Sequence, residues 1–144
     1  MPCPYETAAA IAARMASRLE SANKFYGTRI LISGPTYAQA GDGFVVRALG
    51  GVRVKGKTQA VPIYELLGRT GDVADDVLRY AARFGAAVAA LQGREWNAAL
   101  AGFEACLRER PDDRAARQYA EAVRQFDAAP PPEDWSGALE LAEK

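Results

Sequence analysis

Apolar and polar residues follow two patterns along this chain, with short strand-like runs in the first half and helical periodicity in the second. Residues 6–25 precede the strand-like runs and predict a helix, because they are rich in alanine, lack glycine and proline, and carry scattered charges. Gly27 is the expected stop signal of that helix. The strand signals end at Gly68–Gly71, which is therefore the best candidate for a domain boundary. The pattern predicts an α+β fold, with a helix and a mostly antiparallel sheet followed by further helices.

Short apolar runs bounded by turn residues predict the strands of the sheet. A hairpin is expected around Lys55–Thr58, where two lysines and a glycine separate two such runs. Gly50 and Gly51 lie between neighbouring runs and predict a bulge or a sharp bend. Residues 36–40 predict a short helix before a turn at residues 41–43. The predicted strands are residues 28–33, 44–49, 52–54 and 59–67.

Helical periodicity dominates the second half of the chain. Pro111 separates the last two helices, and Asp112 and Asp113 after it are natural N-cap residues. Pro130–Pro132 then ends the helical part in extended geometry, and Trp135 is expected to pack back onto the fold. The predicted helices are residues 73–92, 96–110 and 112–128.

The second of these helices resembles the second helix of a tetratricopeptide repeat (TPR), with small residues where helices approach and aromatic residues that fill the gaps. The match covers one repeat of about 34 residues. One repeat cannot bury its own faces, so it is expected to pack on the sheet or on a partner chain. We interpret these small and aromatic residues, called the stripe below, as core packing rather than as a ligand groove. Its residues are Trp96, Ala99, Leu100, Phe103, Cys106, Leu107 and Pro111.

The residue counts exclude several classes of function. The 144 residues suffice for one modest domain, or for a small domain with an appendage. Lys and Arg number 18 and Asp and Glu number 18, so the net charge is zero and gives no reason to expect nucleic-acid or membrane-surface binding. The absence of histidine excludes imidazole bases and imidazole metal ligands. Cys3 and Cys106 make no disulfide framework, and the sequence shows neither a signal peptide nor an apolar run long enough to cross a membrane.

Several segments of the first half resemble the C-terminal part of a class III nucleotidyl cyclase catalytic domain. Ala16–Glu20, with the sequence ASRLE, fits the family pattern letter for letter. Asn23–Ser33 resembles the helix-to-strand passage that follows, and Phe44–Leu49 and Gly51–Lys57 resemble the next strands. The order and spacing of these segments match the family as well as their residues do, and the resemblance covers residues 15–144.

The resemblance assigns roles to two basic residues. Arg18 matches the family's catalytic arginine, whose planar guanidinium can donate two hydrogen bonds to phosphoryl oxygens as charge develops. Lys55 matches the lysine that binds the terminal phosphates of the nucleotide. Without the resemblance, Arg18 is an ordinary solvated residue of an alanine-rich helix, and Lys55 is a turn lysine that keeps a hairpin edge soluble. Arg14 stands where the family has an asparagine, and Lys57 has no assigned role.

The resemblance also implies a cofactor for which this chain offers no ligands. Members of the family hold two Mg²⁺ or Mn²⁺ ions with two carboxylates from the front half of the domain. No acidic residues of this chain have metal-ligand spacing, so we expect no metal site of its own. The match begins at Met15, and we interpret the chain as the product of a truncated or frame-shifted cyclase gene.

These observations divide the chain into four expected segments. The truncated catalytic part is expected to keep a ferredoxin-like arrangement of mostly antiparallel strands. The helical part and the tail resemble the C-terminal extension of bacterial membrane-bound cyclases that carry an extracytoplasmic sensor. The segments are an unmatched alanine-rich leader (1–14), the C-terminal part of the catalytic domain (15–68), a TPR-like helical segment (72–128) and a proline-rich tail (129–144).

By resemblance, the inherited function is the conversion of ATP to 3′,5′-cyclic AMP and pyrophosphate in cytoplasmic signal transduction. Active sites of the family form between two head-to-tail protomers, so the expected partner is another cyclase domain. The chain alone is expected to be inactive because the metal-binding half is missing. Two alternatives stay open, a non-catalytic interaction module that pairs with a full-length cyclase or another protein, and a decayed gene product that does not fold stably. The choice between ATP and GTP also stays open.

Overall fold

The computed structural model describes residues 8–52, 60–133, 135 and 137–139, with side chains from residue 16 onward apart from residues 40 and 41. Within these ranges helices and a small antiparallel sheet alternate, which confirms the predicted α+β class. In chain order the elements are α1 (Ala8–Tyr26), β1 (Leu31–Ser33), α2 (Gly34–Ala40), a 3₁₀ turn (Gly41–Gly43), β2 (Phe44–Val52), β3 (Val61–Arg69), α3 (Asp75–Gln92), α4 (Trp96–Glu109) and α5 (Arg114–Ala128).

The described sheet has three strands in the order β1-β3-β2, and both pairings are antiparallel. The register of β2 against β3 shifts between Ala48 and Gly51, and Gly50 has a φ of +78°. That left-handed conformation is open to glycine at little cost. The bulge predicted at the glycine pair is therefore confirmed, but the chain remains one strand through it, where the sequence pattern predicts two.

The strand β1 is shorter than the sequence pattern predicts, because Thr28 is bonded to the end of α1. Gly27 has a φ of +69°, the left-handed conformation that ends many helices. The N–H group of Thr28 then donates to the carbonyl of Asn23 (3.1 Å), and the Thr28 hydroxyl donates to the Asn23 side-chain oxygen (2.7 Å). These bonds attach Thr28 to the helix, and β1 begins only at Leu31.

The two faces of the sheet differ in what covers them. The face toward α3 and α5 carries Leu31, Ser33, Arg47, Leu49, Ile63 and Glu65. The opposite face is apolar and only partly buried, and it carries Ile32, Val46, Ala48, Tyr64 and Leu66. Among the described elements the short helix α2 lies on this second face, where Tyr37 packs against Tyr64 with 4.8 Å between ring centroids. The second face thus keeps apolar surface in contact with solvent.

The helices α3, α4 and α5 follow the sheet and join it through α3, which is one of the two placements that the sequence leaves open. α4 lies between the other two, and α3 also packs on β2. Ala99, Phe103 and Cys106 of α4 are fully buried, and Trp96, Leu100 and Leu107 pack against them, which confirms these residues of the stripe as core; Pro111 is exposed. The side chain of Asp113 accepts a hydrogen bond from the N–H group of Ala115, so Asp113 is the N-cap of α5. In the part of the chain that the structure describes, no helix is long and apolar enough to span a bilayer.

Aromatic side chains make one core that continues from the sheet into the helices. Tyr119 of α5 lies at its centre, with ring centroids 5.7 Å from Tyr26 of α1 and 5.0 Å from Phe103 of α4. Phe84 of α3 meets the Tyr119 ring edge-on at 5.8 Å. Because α1, α3 and α4 all meet at one residue of α5, the helical extension and the sheet share their core rather than standing apart.

The tail after α5 returns to the helices through Trp135, as predicted. The Trp135 ring lies 4.9 Å from the ring of Phe126 and 6.3 Å from that of Trp96. Its indole N–H donates to the carbonyl of Ala138 (3.0 Å), so the polar edge of the ring is satisfied inside the tail itself.

Candidate functional site

Arg18 lies on α1, eight residues before the helix ends at Tyr26, which corresponds to about 12 Å along the helix axis. Ala22 and Tyr26 are buried and Leu19 packs against the core, so these residues define the inner face of the helix. The Arg18 side chain is half-buried beside this face. The position of Arg18 is thus set by how the C-terminal end of α1 is held.

Lys55, the predicted phosphate-binding residue, lies outside the described residues, and so does Lys57. The two strands that lead into and out of this turn are described, and Val52 pairs with Val61 at their ends. The predicted hairpin is therefore confirmed up to its turn. The side chain of Arg14 also lies outside the description, so the structure does not relate Arg18 to the other basic residues named from the sequence.

The described residues do not fit the metal ions that the family resemblance implies. No group of three or more His, Cys, Asp or Glu residues in the described ranges is placed to hold a metal ion. The carboxylates of Glu65, on the face of the sheet toward α3 and α5, and of Asp113, the N-cap of α5, are both engaged by Arg47. Their geometry is that of an ion pair rather than of an open carboxylate site.

A buried charged cluster joins the sheet to the helices. Arg47 of β2 contacts Glu65 of β3 (Nη2 to Oε1, 2.7 Å) and Asp113 (Nη1 to Oδ2, 2.5 Å). The Tyr80 hydroxyl of α3 donates to the same Asp113 oxygen at 2.5 Å, and the Arg47 guanidinium lies 4.5 Å from the centroid of the Phe84 ring. A cavity of about 570 Å³ borders this cluster. The sequence analysis does not predict this cluster, although Arg47, a charged residue inside an apolar run, is an available signal.

The electrostatic environment keeps the Arg47 guanidinium charged and the Tyr80 hydroxyl protonated. Burial lowers the pKa of Arg47, but the nearby carboxylates of Glu65 and Asp113 outweigh burial and leave that pKa raised. Burial and the hydrogen bond to Asp113 both raise the pKa of Tyr80, since a phenolate next to a carboxylate is unfavourable. Among the described residues, no buried side-chain nitrogen or oxygen lacks a hydrogen-bond partner. The polar groups of the cluster therefore find their hydrogen-bond partners within the chain, as expected for a cluster that connects the sheet to the helices.

A second polar connection links the Arg18-bearing helix to the rest of the molecule. The Tyr26 hydroxyl of α1 donates to the Tyr119 hydroxyl of α5 (3.4 Å), which in turn donates to the carbonyl of Leu49 in β2 (2.6 Å). Burial raises the pKa of Tyr26 to about 12, against a smaller opposing effect of its hydrogen bond to Tyr119. Burial also raises the pKa of Tyr119 well above its usual value. Both hydroxyls therefore stay protonated over the neutral range.

These raised pKa values predict a loss of stability in alkali. The folded protein holds the Tyr26 proton up to about pH 12, whereas an exposed tyrosine loses it near 10.0. The contribution of the Tyr26 hydroxyl to the free energy of unfolding is fully present below pH 10.0. It is lost as the pH rises through the folded pKa, and the total loss is about 2–3 kcal/mol. Urea unfolding from about pH 9 to about pH 11 checks this. Tyr26→Phe should show a shallower decline, and an equal slope in both proteins would contradict the assignment.

Comparison with known proteins relates part of the chain to adenylate cyclases. Over 54 residues the chain is 48% identical to adenylate cyclase 1 of Rhizobium meliloti (strain 1021), a match that covers 38% of this chain and 8% of that protein. Over 64 residues it is 45% identical to the terminal-differentiation-specific adenylate cyclase of Dictyostelium discoideum, covering 42% of this chain and 3% of that protein. The chain thus spans only a small fraction of the length of these relatives. No family model and no solved structure matches it.

Proposed function

We propose that this chain supplies the phosphate-binding half of a composite adenylate cyclase site, in which a second cyclase domain supplies the metal-binding carboxylates. The observation that carries the proposal is the 48% identity over 54 residues to an adenylate cyclase, in a chain whose first half also resembles class III cyclases at Arg18 and Lys55. The described residues offer no carboxylate cluster for a metal. The proposal therefore assigns those carboxylates to another domain.

The proposed reaction is the cyclisation of ATP. The ribose 3′-oxygen bonds to the α-phosphorus, the bond from the α-phosphorus to the bridging oxygen breaks, and pyrophosphate leaves with that electron pair while the 3′-hydroxyl proton passes to a base or to water. Catalysis of phosphoryl transfer depends on positioning and on neutralising charge. Arg18 has the planar guanidinium that suits the charge developing on the phosphoryl oxygens, and a lysine at position 55 suits the terminal phosphates.

The proposal predicts that this chain, through Arg18, restores the activity of a cyclase that lacks its own catalytic arginine. The chain is mixed with a homologous cyclase whose own catalytic arginine is replaced by alanine, and cyclic AMP production from ATP is measured with Mn²⁺. We expect activity in the mixture and not in either protein alone, and a loss of about 100-fold or more with Arg18→Ala. Lys24→Ala is the matched control, since Lys24 is an exposed cation on the same helix. Full activity of Arg18→Ala would remove Arg18 from the site.

A second function, a non-catalytic pairing module, is supported by the sheet. The second face of the sheet keeps apolar surface in contact with solvent, and β1 and β2 both have an edge unpaired by any described strand. Such a sheet suits pairing with another domain regardless of catalysis. In the complementation experiment, binding of the folded chain to the cyclase without restored activity would favour this function over the composite site.

A further inference from the structure

The described contacts of α1 show which part of the molecule holds the helix that carries Arg18. Its principal described neighbours are β1 and α5. β1 is a three-residue strand at the edge of the sheet, and it offers α1 a short surface. α5 belongs to the helical extension, far along the chain, and it contacts the last turn of α1 through side chains that lie in the core. Part of the buried support for that last turn therefore comes from outside the part of the chain that resembles a catalytic domain.

The hydroxyl of Tyr119 is the central element of this support. It accepts from Tyr26 of α1 and donates to the Leu49 carbonyl of β2, so a single side chain of α5 connects the helix to the sheet. The rings of Tyr26 and Tyr119 are parallel within 7° at 5.7 Å. Tyr119 is fully buried, so these groups have no water to replace a lost partner.

Two further contacts act on the same end of α1. The side-chain amide of Gln118 donates to the carbonyl of Phe25 (3.3 Å), one of the terminal helix carbonyls that lack a partner within the helix. Arg114, in the first turn of α5, lies so close to Gly27 that a Cβ on this glycine would stand 3.2 Å from the Arg114 Cβ. The start of α5 is itself attached to the sheet, because its N-cap Asp113 contacts Arg47 of β2.

From this geometry we propose that Tyr119 is a positioning residue for Arg18, and that the helical extension sets the placement of the catalytic helix through α5. The inference rests on the proposed function for its catalytic meaning. Arg18 lies about two helical turns from Tyr26, so a tilt at the helix end is carried to the guanidinium. A displacement of about 1 Å at a catalytic group can cost about 100-fold in rate. Loss of the anchor is thus expected to lower kcat, with little change in the KM for ATP.

The test compares Tyr119→Phe with Tyr80→Phe in the full chain. Each variant removes one hydrogen-bonded hydroxyl from the core, but the Tyr80 hydroxyl binds Asp113 and does not contact α1. Hydrogen exchange is followed separately for the amides of α1 and for those of α3 and α4. In Tyr119→Phe we expect the α1 amides to exchange about tenfold faster relative to those of α3 and α4. In Tyr80→Phe we expect no such selective change. In the complementation assay, the kcat of Tyr119→Phe should be lower than the kcat of Tyr80→Phe.

The outcomes separate this inference from the proposed function. An unselective change in exchange in Tyr119→Phe, equal across the helices, would overturn the inference even if the mixture is active. Selective loss of α1 protection with an inactive wild-type mixture would support the anchoring by α5 while contradicting the composite site. Gln118→Ala is the second variant if Tyr119→Phe does not fold, because Gln118 is only half-buried and should give a smaller effect in the same direction. Unchanged α1 exchange in Gln118→Ala would then count against the inference.

Discussion

Replacing Asp113 by alanine is expected to lower the free energy of unfolding by about 3–5 kcal/mol, because it leaves a buried cation with one of its two partners. The Asp113 carboxylate accepts from Arg47, from the Tyr80 hydroxyl and from the N–H group of Ala115. The side chains of Arg47 and Asp113 are only 8% and 10% exposed, so water replaces these bonds poorly. The substitution also removes the N-cap of α5, an effect of about 1 kcal/mol within that total.

A matched control for this prediction is the exposed ion pair between Arg83 and Glu109. These side chains are 47% and 37% exposed, and Arg83→Ala is expected to cost at most about 1 kcal/mol. Both variants are measured by urea unfolding followed by circular dichroism. If Asp113→Ala costs no more than Arg83→Ala, the buried cluster does not hold the sheet to the helices.

A double-mutant cycle with Arg47→Met identifies the source of the cost. If the cost of Asp113→Ala comes mainly from the uncompensated charge of Arg47, the double variant should be less destabilised than the sum of the two single variants. The methionine side chain keeps an apolar contact to the Phe84 ring, which lies 4.5 Å from the guanidinium. Additive costs would mean that the hydrogen bonds to Tyr80 and Ala115 dominate instead.

The two halves of this cluster differ in how far the sequence predicts them. Asp113 follows Pro111 and Asp112 at the start of a helical pattern, and local signals of this kind suffice to predict an N-cap. Arg47 stands in an apolar strand, and nothing local says which residue will neutralise it. Its partner Glu65 comes opposite to it only through the β2–β3 register, and that register depends on the bulge at the glycine pair. Pairings of this kind are set by tertiary structure, which a single sequence does not reveal.

The same contrast holds for the candidate site. The helical setting of Arg18 is predictable, since the alanine-rich segment around it and the stop at Gly27 are local features. The support of this helix by Tyr119 is not, because the contact joins residues 93 positions apart in the chain. The sequence pattern predicts a longer β1 strand for a related reason. The pattern around Thr28 favours a strand, but its hydrogen bonds to Asn23 attach it to the helix end.

Gly50→Ala is expected to destabilise the protein by about 3 kcal/mol or more, for two reasons that act at the same position. Gly50 has a φ of +78°, a conformation that costs a residue with a Cβ about 1–2 kcal/mol. A Cβ there would also overlap the Tyr119 hydroxyl oxygen, at a separation that real Cβ atoms do not show. That hydroxyl is fixed by its bond to Leu49, so it cannot move away without losing a buried hydrogen bond.

Gly71→Ala separates the clash at Gly50 from the backbone strain. Gly71 has a φ of +95°, but a Cβ there would meet nothing within 4 Å, so its replacement should cost only the conformational part, about 1–2 kcal/mol. In the Tyr119→Phe background the cost of Gly50→Ala should fall toward that value, because the next atom of Tyr119 lies 3.6 Å from the Cβ position. Chemical unfolding of the wild type, the three single variants and the double variant Tyr119→Phe/Gly50→Ala measures this coupling. Equal costs at Gly50 and Gly71 would mean that the Tyr119 hydroxyl is free to move, and a movable hydroxyl could not serve as the anchor between β2 and the helix that carries Arg18.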